Sequence, residues 1–324
     1  MKVSIHLLLL LLIIACSCQK EAGNTNPTPP PTPTFRPDTL SAGWTKIVID
    51  STESNYDVFF QNNTVGYVTG AKTYKTLNGG VSWTLVNPNG FFNLFVTSNA
   101  TVFAAKGNDS IYKSVNGGSS FTATYMSDQF FYDIYAIDDN NIFTFGLNDV
   151  QNSNNGGSSW AKLNGPASSN NCITYSTLFF RDANIGWLVS GKYIHRKISA
   201  APGWSTYLLD TALACHFITD IYAPSNNIVF VGDINGLLYK STNGGQSFSV
   251  IKDFGTNGYN MDVHFIDVNV GYVSAGTKIF KTIDGGASWT IVVAMGSALF
   301  NEIYFTDANH GWACGSKGVI LKLN

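Results

Sequence analysis

The stretch 76–83, TLNGGVSW, decides the fold of this 324-residue chain, because the chain repeats it. An Asn-Gly or Asp-Gly pair tolerates the positive φ angles of a tight hairpin turn, and the flanking Ser or Thr side chain can bond nearby amides. Copies that recur about every 40 residues indicate a repeat architecture. The other copies are SVNGGSSF (114–121), SNNGGSSW (153–160), STNGGQSF (241–248) and TIDGGASW (282–289).

The sequence around each turn predicts four short strands. An alternating strand such as 56–60 opens the repeat, and a Gly-bounded apolar strand such as 66–70 follows it. A third strand ends in Lys before the turn, as in 111–113, and the aromatic residue after the turn begins the fourth strand. Four strands in about 40 residues are typical of one propeller blade.

Seven opening strands can be counted, and the last repeat lacks its fourth strand. The segment 43–48, GWTKIV, matches the fourth strands of the other repeats. We therefore predict an all-β, seven-bladed β-propeller over residues 43–324, whose blade seven is closed by the N-terminal strand, which hides an open sheet edge. The opening strands begin near Tyr56, Phe92, Tyr132, Ser176, Thr219, Met261 and Asn301.

The first 42 residues read as targeting and tether segments. A lysine and an apolar run precede Cys16, and this pattern resembles a bacterial lipoprotein signal over residues 1–15, with lipid attachment at Cys16. An ordinary secretory signal is the alternative. Residues 16–42 are rich in Pro and Thr, which is typical of an extended spacer. The sequence thus predicts a protein anchored by lipid alone to a bacterial membrane, most simply the outer membrane, on its periplasmic or outer side.

Composition argues against several classes of partner. The net charge is −2, charged residues make up 12% of the chain, and no basic stripe suits nucleic acid. We interpret six lysines that end third strands as scaffold residues, and the tryptophans share two repeat columns, which indicates packing. No motif indicates a cofactor or a metal site. The six lysines are Lys75, Lys113, Lys197, Lys240, Lys281 and Lys322.

Two cysteines precede opening strands at equivalent positions in successive blades. They are Cys172 and Cys215, and in an oxidising compartment they could form a disulfide if the blade spacing allows it. Two free thiols are the alternative.

The turn string resembles the Asp-box (BNR) repeat. The whole of 43–324 is similar to the propeller of photosystem II assembly/stability factors and their bacterial relatives; the fullest repeat is 305–315, FTDANHGWACG. The resemblance implies the propeller fold and gives the turn residues a structural role, because such turns occur on propellers of many activities. Blade four lacks the motif. The turn residues are Asn78, Asn116, Asn155, Asn243 and Asp284.

The same resemblance raises two kinds of function. Photosynthetic members bind their partner through an arginine-rich patch, whereas this chain has three arginines, Arg36, Arg181 and Arg196. Sialidases are also Asp-box propellers, but three arginines must surround their substrate carboxylate, and Arg36 lies in the tether. A glycoside hydrolase that uses two carboxyl groups is the remaining enzyme alternative.

One column of the opening strands is a candidate ligand site. Most opening strands have a carboxyl residue at this position. Two residues later on each strand, and on the same strand face, there is an aromatic residue or His264. Each carboxyl group could bond amides of the adjacent blade, or the group could hold a cation, an amine or a sugar. The candidate residues are Asp57, Asp133, Asp220, Asp262 and Glu302.

We predict a binding or scaffold propeller that recognises a protein or glycan partner. The loops that join one blade to the next carry aromatic residues, and the Asp-box turns occupy the opposite face. The partner is therefore expected on the face of the inter-blade loops. The loop aromatics are Phe91, Tyr125, Phe130 and Tyr259.

Overall fold

The computed structural model is all-β and forms a seven-bladed β-propeller, which confirms the predicted fold. Among the residues described, no helix is long and apolar enough to cross a membrane. The structure describes residues 37–97, 101–107, 110–126, 131–146, 150–163, 175–198, 203–209, 218–256 and 258–324.

Each blade is an antiparallel sheet whose strands follow chain order outward from the opening strand. Blade one has β3 (Asn55–Phe60), β4 (Gly66–Gly70), β5 (Thr73–Thr76) and β6 (Thr84–Asn87). Blade two has β7 (Asn93–Val96), β8 (Val102–Ala105), β9 (Ser110–Ser114) and β10 (Thr122–Met126). Blade three has β11 (Phe131–Ala136), β12 (Ile142–Gly146), β13 (Val150–Ser153) and β14 (Ala161–Leu163). Blade four has β15 (Tyr175–Asp182), β16 (Ile185–Ser190), β17 (Tyr193–Ile198) and β18 (Ser205–Leu208).

The remaining blades include the two strands nearest the N-terminus. Blade five has β19 (Ile218–Tyr222), β20 (Val229–Asp233), β21 (Leu237–Ser241) and β22 (Ser249–Asp253). Blade six has β23 (Met261–Phe265), β24 (Gly271–Ala275), β25 (Lys278–Thr282), β26 (Thr290–Ala294) and β1 (Thr39–Leu40). Blade seven has β27 (Phe300–Phe305), β28 (Gly311–Gly315), β29 (Val319–Leu323) and β2 (Trp44–Val48).

The N-terminal strand closes the ring as predicted. β2 pairs antiparallel with β29 from Trp44 opposite Leu323 to Val48 opposite Val319. The compact unit begins earlier than the sequence analysis places it, at Pro37. Thr39 and Leu40, which the sequence analysis assigns to the tether, form β1 and pair with the edge of blade six.

The five repeated turns are held by their own side chains. In blade one, Thr76 Oγ1 donates to Asn78 Oδ1 at 2.9 Å and accepts from the Gly80 amide at 2.9 Å. Asn78 Oδ1 also accepts from the Ser82 amide at 2.9 Å. Gly79 and Gly80 have φ angles of 69° and 87°, which L-residues with a Cβ rarely adopt. The turns at Asn116, Asn155, Asn243 and Asp284 repeat these bonds.

The turns lie on the same face as the loops that join first and second strands, since the Gly79 amide donates to Thr64 O at 2.8 Å. We call this the turn face. The loops between blades lie on the opposite face together with the hairpins between second and third strands, as shown by the 3.0 Å bond from the Phe300 amide to Gly276 O. We call this the inter-blade-loop face.

A cation of one blade bonds the turn of the next. Lys75 Nζ donates to Gly117 O at 2.9 Å while lying over the Tyr67 ring, and Lys113 and Lys240 repeat the bond to Gly156 O and Gly285 O. These contacts fit the predicted scaffold role of the lysines. The assignment of Lys197 to this column is wrong: Arg196 is the residue opposite Trp187, as Lys75 is opposite Tyr67.

Blade three is the exception in this arrangement. The residue opposite Phe143, at the position of the cation, is Asn152. The next blade, blade four, is the one whose sequence lacks the Asp-box turn. The cation is therefore missing at the same blade boundary at which the sequence lacks the turn motif.

Candidate functional site

The opening strands are innermost and contact one another around the central channel. Their aromatic column forms a continuous circle around that channel. Each ring contacts the next, with centroids 4.7 to 5.7 Å apart, and Tyr304 contacts Phe59 at 4.8 Å to complete the circle. The circle, which we call the aromatic belt, consists of Phe59, Phe95, Tyr135, Phe179, Tyr222, His264 and Tyr304.

The carboxyl column lies two residues earlier on each strand, toward the inter-blade-loop face. The five predicted carboxyl groups come together here, because the charge of each of the other four acts on Glu302. Asp57 and Asp262 are buried, whereas Asp133, Asp220 and Glu302 are partly exposed. We call the seven positions the carboxyl belt: Asp57, Asn93, Asp133, Thr177, Asp220, Asp262 and Glu302.

Most belt residues bond the adjacent blade. Asp57 Oδ2 accepts from the Leu94 amide at 2.7 Å, and the other bonds of this kind run from the next blade to Asn93, Asp220 and Asp262. Asp133 also accepts from a backbone amide of the next blade, that of Leu178. These bonds are the ones that the structural alternative expects, and they fix where the carboxyl groups lie; the ligand site stays a prediction.

β-Bulges help to place the belt. Five opening strands have a register shift immediately before their belt residue, for example between Asn55 and Asp57 and between Ile218 and Asp220. A bulge locally twists a strand and redirects its side chains. In blade five the extra residue, Thr219, accepts from the Met261 amide and donates to its carbonyl. The sequence analysis missed these bulges.

The carboxyl belt is hard to ionise. Burial raises the pKa of Asp57 to about 7. Burial and, second, the charge of Asp57 raise the pKa of Asp133 to about 8. The pKa values of Asp220, Asp262 and Glu302 are also raised, first by burial. The direction agrees with the sequence analysis, but burial outweighs the repulsion expected there.

The two sides of the aromatic belt differ in charge. Arg181 follows Thr177 and Phe179 at two-residue steps on β15, so it lies on the turn-face side of the belt. Its Nη1 donates to Ala223 O at 3.2 Å. His264, within the belt, stays neutral at pH 7 because burial lowers its pKa to about 4. The channel is thus acidic on one side and carries an arginine on the other.

The loop aromatics do not form the exposed group that the sequence suggests. Phe91 is buried against Tyr112 and Phe121, and Tyr125 packs on Trp160. Tyr259 is 46% exposed on the inter-blade-loop face. Phe130, Cys16, Cys172 and Cys215 lie outside the described residues, so the lipid site and the disulfide stay predictions.

No metal site forms in the described ranges: no three His, Cys, Asp or Glu side chains there converge to hold an ion. The tryptophans pack as expected. Trp187 and Trp312 are fully buried and donate to turn carbonyls of the next blade, Gly244 O and Gly79 O.

No protein-family model and no curated protein matches the chain. Solved structures do match it. One is described as YCF48 bound to a D1 peptide, with a TM-score of 0.70 and 15% identity over 90% of this chain and 99% of that chain. YCF48 from Cyanidioschyzon merolae gives a TM-score of 0.72 and 18% identity over 87% and 99%. A streptogramin B lyase gives 0.70 and 15% over 87% and 97%.

These neighbours include one protein described with a bound peptide and one enzyme, and the two share one architecture. At such low identity the likeness carries no function from one chain to another. It shows that this chain has the seven-bladed propeller fold.

Proposed function

We propose that this protein is a lipid-anchored binding propeller outside the cytoplasm, which recognises a protein or glycan partner on its inter-blade-loop face. The observation that carries the proposal is the carboxyl belt, which lines the inter-blade-loop end of the channel above the continuous aromatic belt; we call this end of the channel the recess. A concave recess with a few fixed polar groups is the usual form of a recognition site. The neighbour described as YCF48 bound to a D1 peptide supports binding of a protein partner.

The docking face is tested with a photo-crosslinking amino acid at position 259, compared with the same amino acid at position 77. Tyr259 and Leu77 are both exposed, at 46% and 70%, but they lie on opposite faces. We expect intact cells to yield a discrete adduct from position 259 and none from position 77.

The double variant Asp133→Asn, Asp220→Asn should weaken the adduct without lowering the melting temperature, because asparagine keeps an acceptor oxygen for the amide bonds.

Adducts from position 77 alone would move the docking site to the turn face. A double variant that melts early yet keeps its partner would leave the carboxyl belt a structural role only. A polysaccharide-hydrolysis screen of the purified protein covers the glycoside hydrolase alternative, and release of sugar would favour it.

The anchor is tested by Cys16→Ser. Because the lipid is expected on the thiol of this residue, the variant should leave the membrane fraction and appear in the soluble fraction. Cys314→Ser, which changes a buried cysteine of blade seven, is the control and should stay with the membrane. Membrane retention of the Cys16→Ser protein would rule out an anchor at this residue.

A further inference from the structure

We propose that the recess binds a primary ammonium group, presented as a lysine side chain of a protein partner. This inference rests on the proposed function and names the chemistry that the inter-blade-loop face recognises. It is carried by a stacked aromatic pair at the mouth of the recess, by carboxyl groups of fixed position below it, and by buried polar atoms that lack partners.

The aromatic pair stands directly before the carboxyl belt in blades one and two. Tyr56 and Phe92 precede Asp57 and Asn93, and their rings are stacked, with centroids 5.5 Å apart and planes 9° from parallel. Both side chains are partly exposed. The face of an aromatic ring attracts a cation, most strongly where water is excluded. The pair therefore gives one wall of the mouth a preference for positive charge.

The carboxyl groups beneath this wall are held in place before any ligand arrives. One oxygen each of Asp57 and Asp262 accepts an amide of the next blade at 2.7 Å. Acceptors that are already fixed lose little conformational freedom when a ligand binds. They therefore favour a cation whose size matches the spacing of the acceptor oxygens. Asp133 and Glu302 are partly exposed and can be reached from the recess.

Two buried polar atoms near the belt have no hydrogen-bond partner within the described part of the chain. Ser274 is directly opposite Asp262, so their side chains share one face of blade six; Ser274 is 1% exposed and its Oγ is unpartnered. Nδ2 of Asn55, which is 4% exposed and opens β3, also lacks a partner. Such atoms are costly unless a ligand or water completes them.

The chemistry of these groups selects an ammonium ion. An ammonium group has three donors and no acceptor, and carboxylate and hydroxyl oxygens complement it. Arg181 is the one Lys or Arg on the described opening strands, and it lies beyond the aromatic belt, away from the carboxyl belt.

The test is titration calorimetry of the purified chain with small probes. We expect n-butylammonium and Nα-acetyl-lysine methylamide to bind, and neutral 1-butanol to bind at least about tenfold more weakly. Alanine methylamide, which presents a main-chain amine, should bind more weakly than the lysine probe. Replacing both rings, by Tyr56→Leu with Phe92→Leu, should weaken the lysine probe about tenfold. The turn-face control Val115→Ala should bind the lysine probe normally.

Equal binding of butylammonium and 1-butanol would overturn the inference, as would unchanged affinity in the ring variant. If that variant does not fold, Asp57→Asn, which keeps the amide acceptor, must weaken the lysine probe for the inference to stand. If no probe binds but a partner still crosslinks at position 259, the amine assignment fails and the binding proposal stands. If the lysine probe binds but no partner crosslinks there, the proposed function fails instead.

Discussion

A chain that begins at Ile49 should unfold at a much lower urea concentration than one that begins at Pro37. The shorter chain lacks β2, so blade seven loses its outer strand and the edge of β29 is left unpaired. It also loses Trp44, which is 8% exposed and packs edge-on against Phe305 at 6.2 Å. Removing a buried tryptophan alone costs about 3–5 kcal/mol, so we expect a loss of at least about 4 kcal/mol.

The unpaired edge has a second effect. An uncovered strand next to exposed apolar side chains is a template for pairing between molecules, so the shorter chain should also aggregate. The matched control begins at Gly43. It loses the two residue pairs of β1 and keeps β2, so its stability should fall far less. Urea curves that coincide for the chains beginning at Pro37 and Ile49 would show that β2 does not hold the ring closed.

Stability should decrease as the pH rises from 5 to 8.5. The carboxyl belt keeps its protons in the folded protein to about pH 7 at Asp57 and about pH 8 at Asp133, whereas an unfolded aspartate loses its proton near pH 4. Between these limits the folded state binds more protons, so its stability falls with increasing pH. One pKa unit corresponds to about 1.4 kcal/mol, so the total loss should reach several kcal/mol.

Urea unfolding at a series of pH values measures this slope. Asp133→Asn removes one titrating group and should flatten it. Asp267→Asn is the control: the pKa of this exposed carboxyl is lowered by amide hydrogen bonds, so its titration falls below the pH range examined. Stability that rises with pH, or an equal slope in the Asp133→Asn protein, would mean that the belt is ionised at neutral pH.

The fold could be predicted because its decisive signals are local. The turn string requires a particular backbone geometry. Hydrogen bonds between Asn78 and residues only a few positions away hold that geometry. The closing strand could be found because 43–48 keeps the composition of the fourth strands that it replaces. β1 could not, since two residues that pair through main-chain atoms leave no pattern in the sequence.

Prediction from the repeat was wrong where the chain departs from the repeat pattern. Blade four has no Asp-box turn to fix the register, so counting residues selected Lys197, whereas strand pairing selects Arg196. The loop aromatics show a related limit. Phe91 and Tyr259 occupy comparable places in the sequence, but whether a loop side chain packs or stays exposed depends on neighbouring blades.

Only part of the candidate site could be predicted from the sequence. Two-residue spacing placed Asp57 and Phe59 on one face, and the structure brings their columns into belts. The bulge before Asp57, the amide of Leu94 that fixes its carboxyl group and the stacking of Tyr56 on Phe92 depend on contacts between strands, which no periodicity encodes.

The cation that bonds the turn of the next blade has a consequence for how such a chain can gain or lose repeats. The turn of a duplicated blade must accept the cation of the preceding blade, and its own cation must bond the turn of the following blade. A duplication or deletion that begins at a blade boundary therefore separates a cation from the turn that it bonds. At the boundary between blades three and four, Asn152 takes the place of the cation and the sequence of blade four lacks the turn motif, so this boundary does not carry the constraint. It is therefore the place where a blade could be inserted or exchanged with least disturbance to its neighbours.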